Sequence, residues 1–342
     1  MSEPRNAPIY IVGTERSGSN LLRVILNAHS RIDVPHPPHI LKYFSPLEHR
    51  YGDLSIDENL RRLVRDIGRL LTVHIYPWDV DIDVDRVVSE SRPRNLFGAF
   101  AAIQEQHLEA SGKARWGNKS TFMIHHVDAI LERDPDARIV WLVRDVRDVA
   151  VSSRKSVFSP CHPAHTARLW VQQQTEGLEL EKRMNPGRML RMHYEDLLEN
   201  PERELRALCT FLGEEFESGL LDHASTGAAR KGAGLSESWE NTGKPILRGN
   251  TGKWRSGLSR LELESVESEA ASVMVALGYA TETTPRTFGW FRRRQFGLQD
   301  WCWTMGVEWR SLRKDKNHWR RWNRALLMDW LWLTARPARR KP

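Results

Sequence analysis

At 342 residues, 40% of them hydrophobic, the chain is long enough to bury a sizeable core in one large or two ordinary domains. Three widely spaced cysteines exclude a disulfide framework or a paired zinc spacing, and a reducing compartment is expected. The net charge of +7 is uneven: residues 288–342 hold 14 Lys/Arg against 4 Asp/Glu, a balance of +10, and the remainder carries −3.

Ile9–Val12 is a short apolar run between Pro8 and Gly13 and predicts a buried strand. Leu21, Leu22, Ile25 and Leu26 follow at helical spacing, so Gly13-Thr14-Glu15-Arg16-Ser17-Gly18-Ser19-Asn20 is a loop between a strand and a helix start. Such a loop binds anions, because unpaired N–H groups and the helix dipole both point into it. Gly13 and Gly18 have the spacing of a Walker A loop, yet Ser19 stands where its lysine belongs and Asn20 where its magnesium-binding Ser/Thr belongs. A metal-dependent phosphotransferase lacks its usual cations here. A sulfuryl group carries less charge, and backbone amides with Arg16 can hold it without a metal.

Helices are expected near Ile56–Leu71 and Leu96–Ala110. The second core strand is Arg138–Val143, entered through the turn Asp134-Pro135-Asp136 and followed by a helix from about Val146. Arg144 sits at the C-terminal end of this strand, where parallel sheets bind ligands. Ser152 lies about two helical turns on and is expected to share a phosphate with it. Asp145, Arg147 and Asp148 read as a solvated helix start. A third strand at Met189–His193 and helices at Pro201–Leu212 and Leu261–Leu277 complete an α/β fold: a mostly parallel central sheet flanked by helices, with a P-loop-like nucleotide site. Gly227–Gly252 reads as a mobile loop.

Arg16-Ser17-Gly18-Ser19-Asn20 resembles the 5′-phosphosulfate loop, R-S-G-[ST]-[ST], of sulfotransferases. Arg144 to Ser152 resembles their 3′-phosphate motif, R-D-x-R-D-x-x-x-S, and the similarity extends through MLRMHYEDLL at Met189–Leu198 and GKWRSGLS at Gly252–Ser259. The branch resembled includes the protein-tyrosine sulfotransferases and bacterial enzymes acting on carbohydrates or lipids. The resemblance implies transfer of the sulfuryl group of 3′-phosphoadenosine 5′-phosphosulfate (PAPS) to an acceptor hydroxyl, with no metal required. It implies that Arg16, Ser17, Gly18, Ser19 and Asn20 hold the 5′-phosphosulfate and that Arg144 and Ser152 hold the 3′-phosphate. Lys253, Trp254 and Arg255 match the late loop that closes over the nucleotide, and Asn118 and Lys119 match a lysine segment near the transferring group. Relatives usually carry a glutamate about twenty residues past the loop arginine; here His36 stands at that place and His39 three further on. Histidine is a competent base near neutral pH, so His36 is the first candidate and His39 the second, with Glu15, Asp33 and Glu48 as carboxylate alternatives. Cys161-His162-Pro163-Ala164-His165 is expected to line the acceptor cleft, and His125-His126 to lie on a helix after Lys119.

The division expected is a catalytic unit, 1–283, and a basic Trp-rich helical extension, 284–342. Eight of the fourteen tryptophans fall between Trp290 and Trp332, and Trp319, Trp322, Leu326, Trp330 and Leu333 recur at helical spacing beside Arg320, Arg321 and Arg324. This is the composition of an interfacial membrane segment, or of a hairpin packing its Trp face on protein. A carbohydrate or lipid-linked acceptor, a peripheral membrane surface and no nucleic acid are the partners expected. Two alternatives stay open: a P-loop kinase, and a non-catalytic nucleotide-binding protein at the membrane.

Overall fold

The structure is a computed structural model describing residues 6–335 except 186, 235–238 and 316. Five strands form one parallel sheet: β1 (Ile9–Gly13), β2 (Ile32–Asp33), β3 (Arg115–Lys119), β4 (Arg138–Val143) and β5 (Met189–His193), in the order β2-β3-β1-β4-β5. Period-two alternation splits the strands between two cores. Tyr10, Val12, Ile139, Trp141 and Val143 face one, and Ile9, Ile11, Val140 and Leu142 face the other.

Helices cover both faces. Ser19–Asn27 buries Leu22, Ile25 and Leu26 against the second core. Pro163–Arg183 crosses the first, where Gly177 makes room for the Trp141 ring: a Cβ there would lie 2.4 Å from it. Gln174 on this helix accepts from Trp141 Nε1 at 2.8 Å and donates to Thr14 Oγ1 at 2.7 Å, tying the loop after β1 to the layer below.

The order reverses at β1: the chain crosses from β1 to the edge strand β2, returns to β3 beside β1, and then passes to β4 and β5 on the other side. Ligands of open α/β sheets bind at the C-terminal ends of strands flanking such a reversal. Register pairs Gly13 with Leu142, so the loops carrying Arg16 and Arg144 start side by side.

Several expectations need correction. The segment 227–252 carries a helix at Gly227–Ala233 and a 3-10 turn at Glu240–Gly243; Thr226 caps the helix by accepting from Ala229 N. His125 and His126 lie at the end of a helix after Lys119 as expected, of 3-10 type, Thr121–His126. Asp145, Arg147 and Asp148 are buried, because Arg147 pairs with Asp145 at 2.7 Å and with Glu267 at 2.9 Å beneath the Trp254 ring. The Cys161–His165 stretch forms a seat for the C-terminal helices. His162 caps Pro163–Arg183 and stacks on Phe296, and Asp300 accepts from the amides of Cys161 and His162.

The extension forms two helices, Trp290–Lys314 and His318–Thr334. The second reaches the main core through Leu331, and Arg50 and Arg69 stack on Trp332 and Trp330. Apart from the Arg69–Trp330 contact the Trp stripe is open to solvent: Trp319 is 71% exposed, Trp322 54% and Leu333 65%. Among the described residues no helix is long and apolar enough to cross a membrane.

Candidate active site

Backbone geometry marks the site first. Arg16 (φ 70°) and His39 (φ 55°) are the non-glycine residues with positive φ among those described, and both line one cavity of about 720 Å³. Strain of this kind costs on the order of 1–3 kcal/mol per residue and persists only where surrounding structure imposes it. Gly18, at φ 89°, opens the helix Ser19–Asn27, and a Cβ there would lie 2.3 Å from the Tyr194 ring. Only a glycine lets that aromatic close over the loop.

The two anion motifs, 128 residues apart at their arginines, meet directly. Arg16 Nε donates to Ser152 Oγ at 3.1 Å, and Arg144 Nη1 donates to the Arg16 carbonyl at 3.0 Å. Arg144 also donates to Asn250 O at 3.0 Å and stacks 4.3 Å from the Tyr194 ring centre, and Asn250 donates to Tyr194 Oη. Burial, and then the neighbouring Arg144 charge, disfavour the charged form of Arg16. Two guanidinium groups held this close call for an anion between them.

The remaining candidates divide. Gly18, Ser19, Asn20, Ser152 and Lys253 line the cavity. Ser17 is buried behind it with an unpartnered Oγ. Trp254 turns inward onto Arg147, and Arg255 points to the surface, where it pairs with Glu282. Asp148 positions this late loop by accepting from Gly252 N at 2.8 Å and Trp254 N at 3.0 Å.

Lys119 ends β3 and lines the cavity; burial, then the charge of Arg23, bring its pKa down to about 8. His36 is caged by rings, stacked at 5.1 Å on Tyr76 and 4.4 Å from Trp239, with a buried, unpartnered Nδ1. His39 holds its Nδ1 3.0 Å from Ser120 Oγ. Burial holds both rings well below the usual histidine range, so both are neutral at pH 7. Among the carboxylate alternatives, Glu15 lines the cavity and accepts from Ser159 Oγ, Asp33 engages His107 and Glu48 caps Leu96 N.

The donor end suits an anionic nucleotide. Arg144 Nε is buried without a partner, and two glycines leave no room for a Cβ.

The model of the sulfotransferase family matches residues 8–218. The chain belongs to the sulfotransferase family. With that, the kinase alternative falls. A protein-tyrosine sulfotransferase 1 of Danio rerio is 24% identical over 294 residues, covering 82% of this chain and 74% of that protein. An uncharacterized protein of Aquifex aeolicus is 23% identical over 261 residues; the alignment covers 74% of this chain and 31% of that longer protein. The sulfotransferase domain of the Synechococcus PCC 7002 olefin synthase superposes with a TM-score of 0.57 at 22% identity, over 80% of this chain and 95% of that one. The corresponding domain of the curacin biosynthetic pathway gives 0.55 at 21%, over 80% and 97%. Both share the fold of this sulfotransferase.

Sequence reasoning missed Tyr194, Asn250, Arg23 and the ring cage of Tyr76 and Trp239. Tyr194 and Asn250 lie inside or beside matched motifs. The cage residues carried no local signal.

Proposed function

We propose that this PAPS-dependent sulfotransferase moves the sulfuryl group onto a hydroxyl of a carbohydrate or lipid-linked acceptor, working in the cytoplasm as a peripheral protein at a membrane surface. The junction of Arg16, Ser152 and Arg144 at the sheet reversal carries this reading. Bound PAPS would supply the sulfuryl group and a phosphate leaving oxygen. Arg16 and the amides of Ser17, Gly18, Ser19 and Asn20 hold the 5′ end, Arg144 and Ser152 the 3′-phosphate, and Lys253 the rim. Lys119 neutralises charge developing around the transferred group. The acceptor oxygen bonds to sulfur as the sulfur–oxygen bond to phosphate breaks, and His36 takes the hydroxyl proton. His39 is the second candidate for that proton.

His36→Ala is expected to lower kcat about 10²–10⁴-fold, the usual worth of a positioned base, while calorimetric binding of 3′-phosphoadenosine 5′-phosphate (PAP) persists. Unchanged turnover would move the base to His39 or Glu15.

Support for the membrane comes from the extension 284–342, treated as an element added to the unit 1–283. Its Trp stripe is exposed and flanked by arginines, a pattern that suits an anionic bilayer surface. Co-sedimentation with phosphatidylglycerol vesicles should fall at least tenfold in the triple Trp319→Ser, Trp322→Ser, Trp330→Ser variant. These positions are chosen because truncation would also strip Leu331 from the core. Absence of vesicle binding by the intact protein would end the membrane reading.

A further inference from the structure

The cavity extends beyond the donor end, and part of its wall comes from the C-terminal hairpin. Arg310 on Trp290–Lys314 and Arg324 on His318–Thr334 both line it. Both lie outside the stretch the family model matches. Arg324 places its guanidinium 5.1 Å from the Tyr43 ring centre, on the side of the cavity where His39 lies.

The charge inventory is unbalanced. The lining holds eight Lys/Arg and three Asp/Glu among the described residues. Arg16, Arg144, Lys119 and Lys253 are taken up by the donor. Lys42, Lys155, Arg310 and Arg324 remain, and Glu15 approaches Lys42 only to 4.0 Å. Among the described residues neither Arg310, Arg324 nor Lys155 is paired with a carboxylate. Of the hairpin's four acids, Glu308 and Asp315 are engaged by Arg321 and Asp300 by His165. Arg324 is half-buried, and burial disfavours its charged form. An uncompensated guanidinium in such a position costs stability unless an anion meets it. Tyr43, Ile75 and Phe158 add apolar surface to the same cavity.

The geometry points to an anion subsite on the acceptor side, in which Arg310 and Arg324 of the C-terminal hairpin, with Lys42 and Lys155, bind a phosphate or carboxylate carried by the acceptor next to its reacting hydroxyl. This rests on the sulfotransferase reading above. The hairpin thereby selects the substrate, since a neutral acceptor would leave these lining cations without a counter-charge. Guanidinium forks suit such a group because they meet phosphate or carboxylate oxygens two at a time.

The test uses the full chain saturated with PAP, and calorimetry with three probes: octyl phosphate, octyl glucoside and inorganic phosphate. Octyl phosphate is expected to bind at least tenfold more tightly than octyl glucoside. In the Arg310→Gln, Arg324→Gln double variant that preference is expected to vanish while PAP affinity stays within about twofold, which also certifies the fold. The single variant Lys155→Gln should give an intermediate loss. If octyl phosphate outcompetes inorganic phosphate, the anion belongs to an amphiphile; if the two bind alike, to a small soluble acceptor. Either result supports the subsite. Octyl phosphate binding no better than octyl glucoside, or a preference that survives in the double variant, would overturn it. Failure of the wild-type chain to bind PAP at all would instead sink the donor reading on which the subsite depends.

Discussion

Replacing Arg144 with alanine is expected to weaken PAP binding by about 100-fold or more. Charge-assisted hydrogen bonds are worth about 1.5–3 kcal/mol each, and the arginine fork can offer the 3′-phosphate two of them, so a loss near 3 kcal/mol corresponds to roughly two decades. The side chain also donates to the carbonyls of Arg16 and Asn250, so some loss will come from slackening of the loops. A second ligand separates the two effects. Adenosine 5′-phosphosulfate lacks the 3′-phosphate and feels only the loop effect, so its affinity should fall far less and the ratio of the two constants should collapse. Calorimetry without magnesium reads both. An unchanged ratio would mean that Arg144 supports the loop without touching the 3′-phosphate.

Lys119→Met is expected to cost about 10²–10³ in kcat, the range seen when one preorganised donor is removed from a developing charge, with PAP affinity falling much less. A pH profile separates this role from a structural one. Lys119 has its pKa lowered to about 8 by burial, with Arg23 adding to the effect. Its charged form therefore prevails below that pH and is lost above it. If the charge is what matters, kcat/KM for the donor, which reports the free enzyme, is high below about 8 and falls as pH rises through it. Lys119→Arg keeps the charge at all working pH values, so the alkaline limb should disappear even if the rate is reduced. His36 and His39 are both held below the usual histidine range, so their protonation would appear only as an acid limb. A wild-type profile flat between pH 7 and 9 would remove Lys119 from charge stabilisation.

How much of this was legible depends on where each signal sits along the chain. Strand β4 and β5 read directly because their apolar runs are uninterrupted or bounded by clear turns. Strand β3 was missed: Arg-Trp-Gly-Asn-Lys has no apolar periodicity. It is a strand because its polar groups find buried partners, Arg115 donating to the carbonyls of Ala7 and Leu212. The sequence therefore places Lys119 by resemblance alone, whereas it sits at the C-terminal end of a core strand. The segment 227–252 read as a loop from its glycine and serine content, although Thr226 caps a helix there and Trp239 closes on His36. The Asp145–Asp148 run read as a solvated helix start, because its partner Glu267 lies 120 residues away from Arg147.

The sequence by itself determined the two anion motifs, the family and the parallel α/β plan, since a glycine loop before a helix and an arginine after a strand act through local backbone geometry. It also determined that the extension is helical, basic and rich in tryptophan. Only the tertiary structure decided that Arg16 bonds to Ser152 and Arg144, that rings from two distant segments cage His36, and that Arg310 and Arg324 line the same cavity as Arg16 and Arg144. Those facts depend on burial and on contacts between residues tens to hundreds of positions apart, where buried polar groups find partners that no local pattern records.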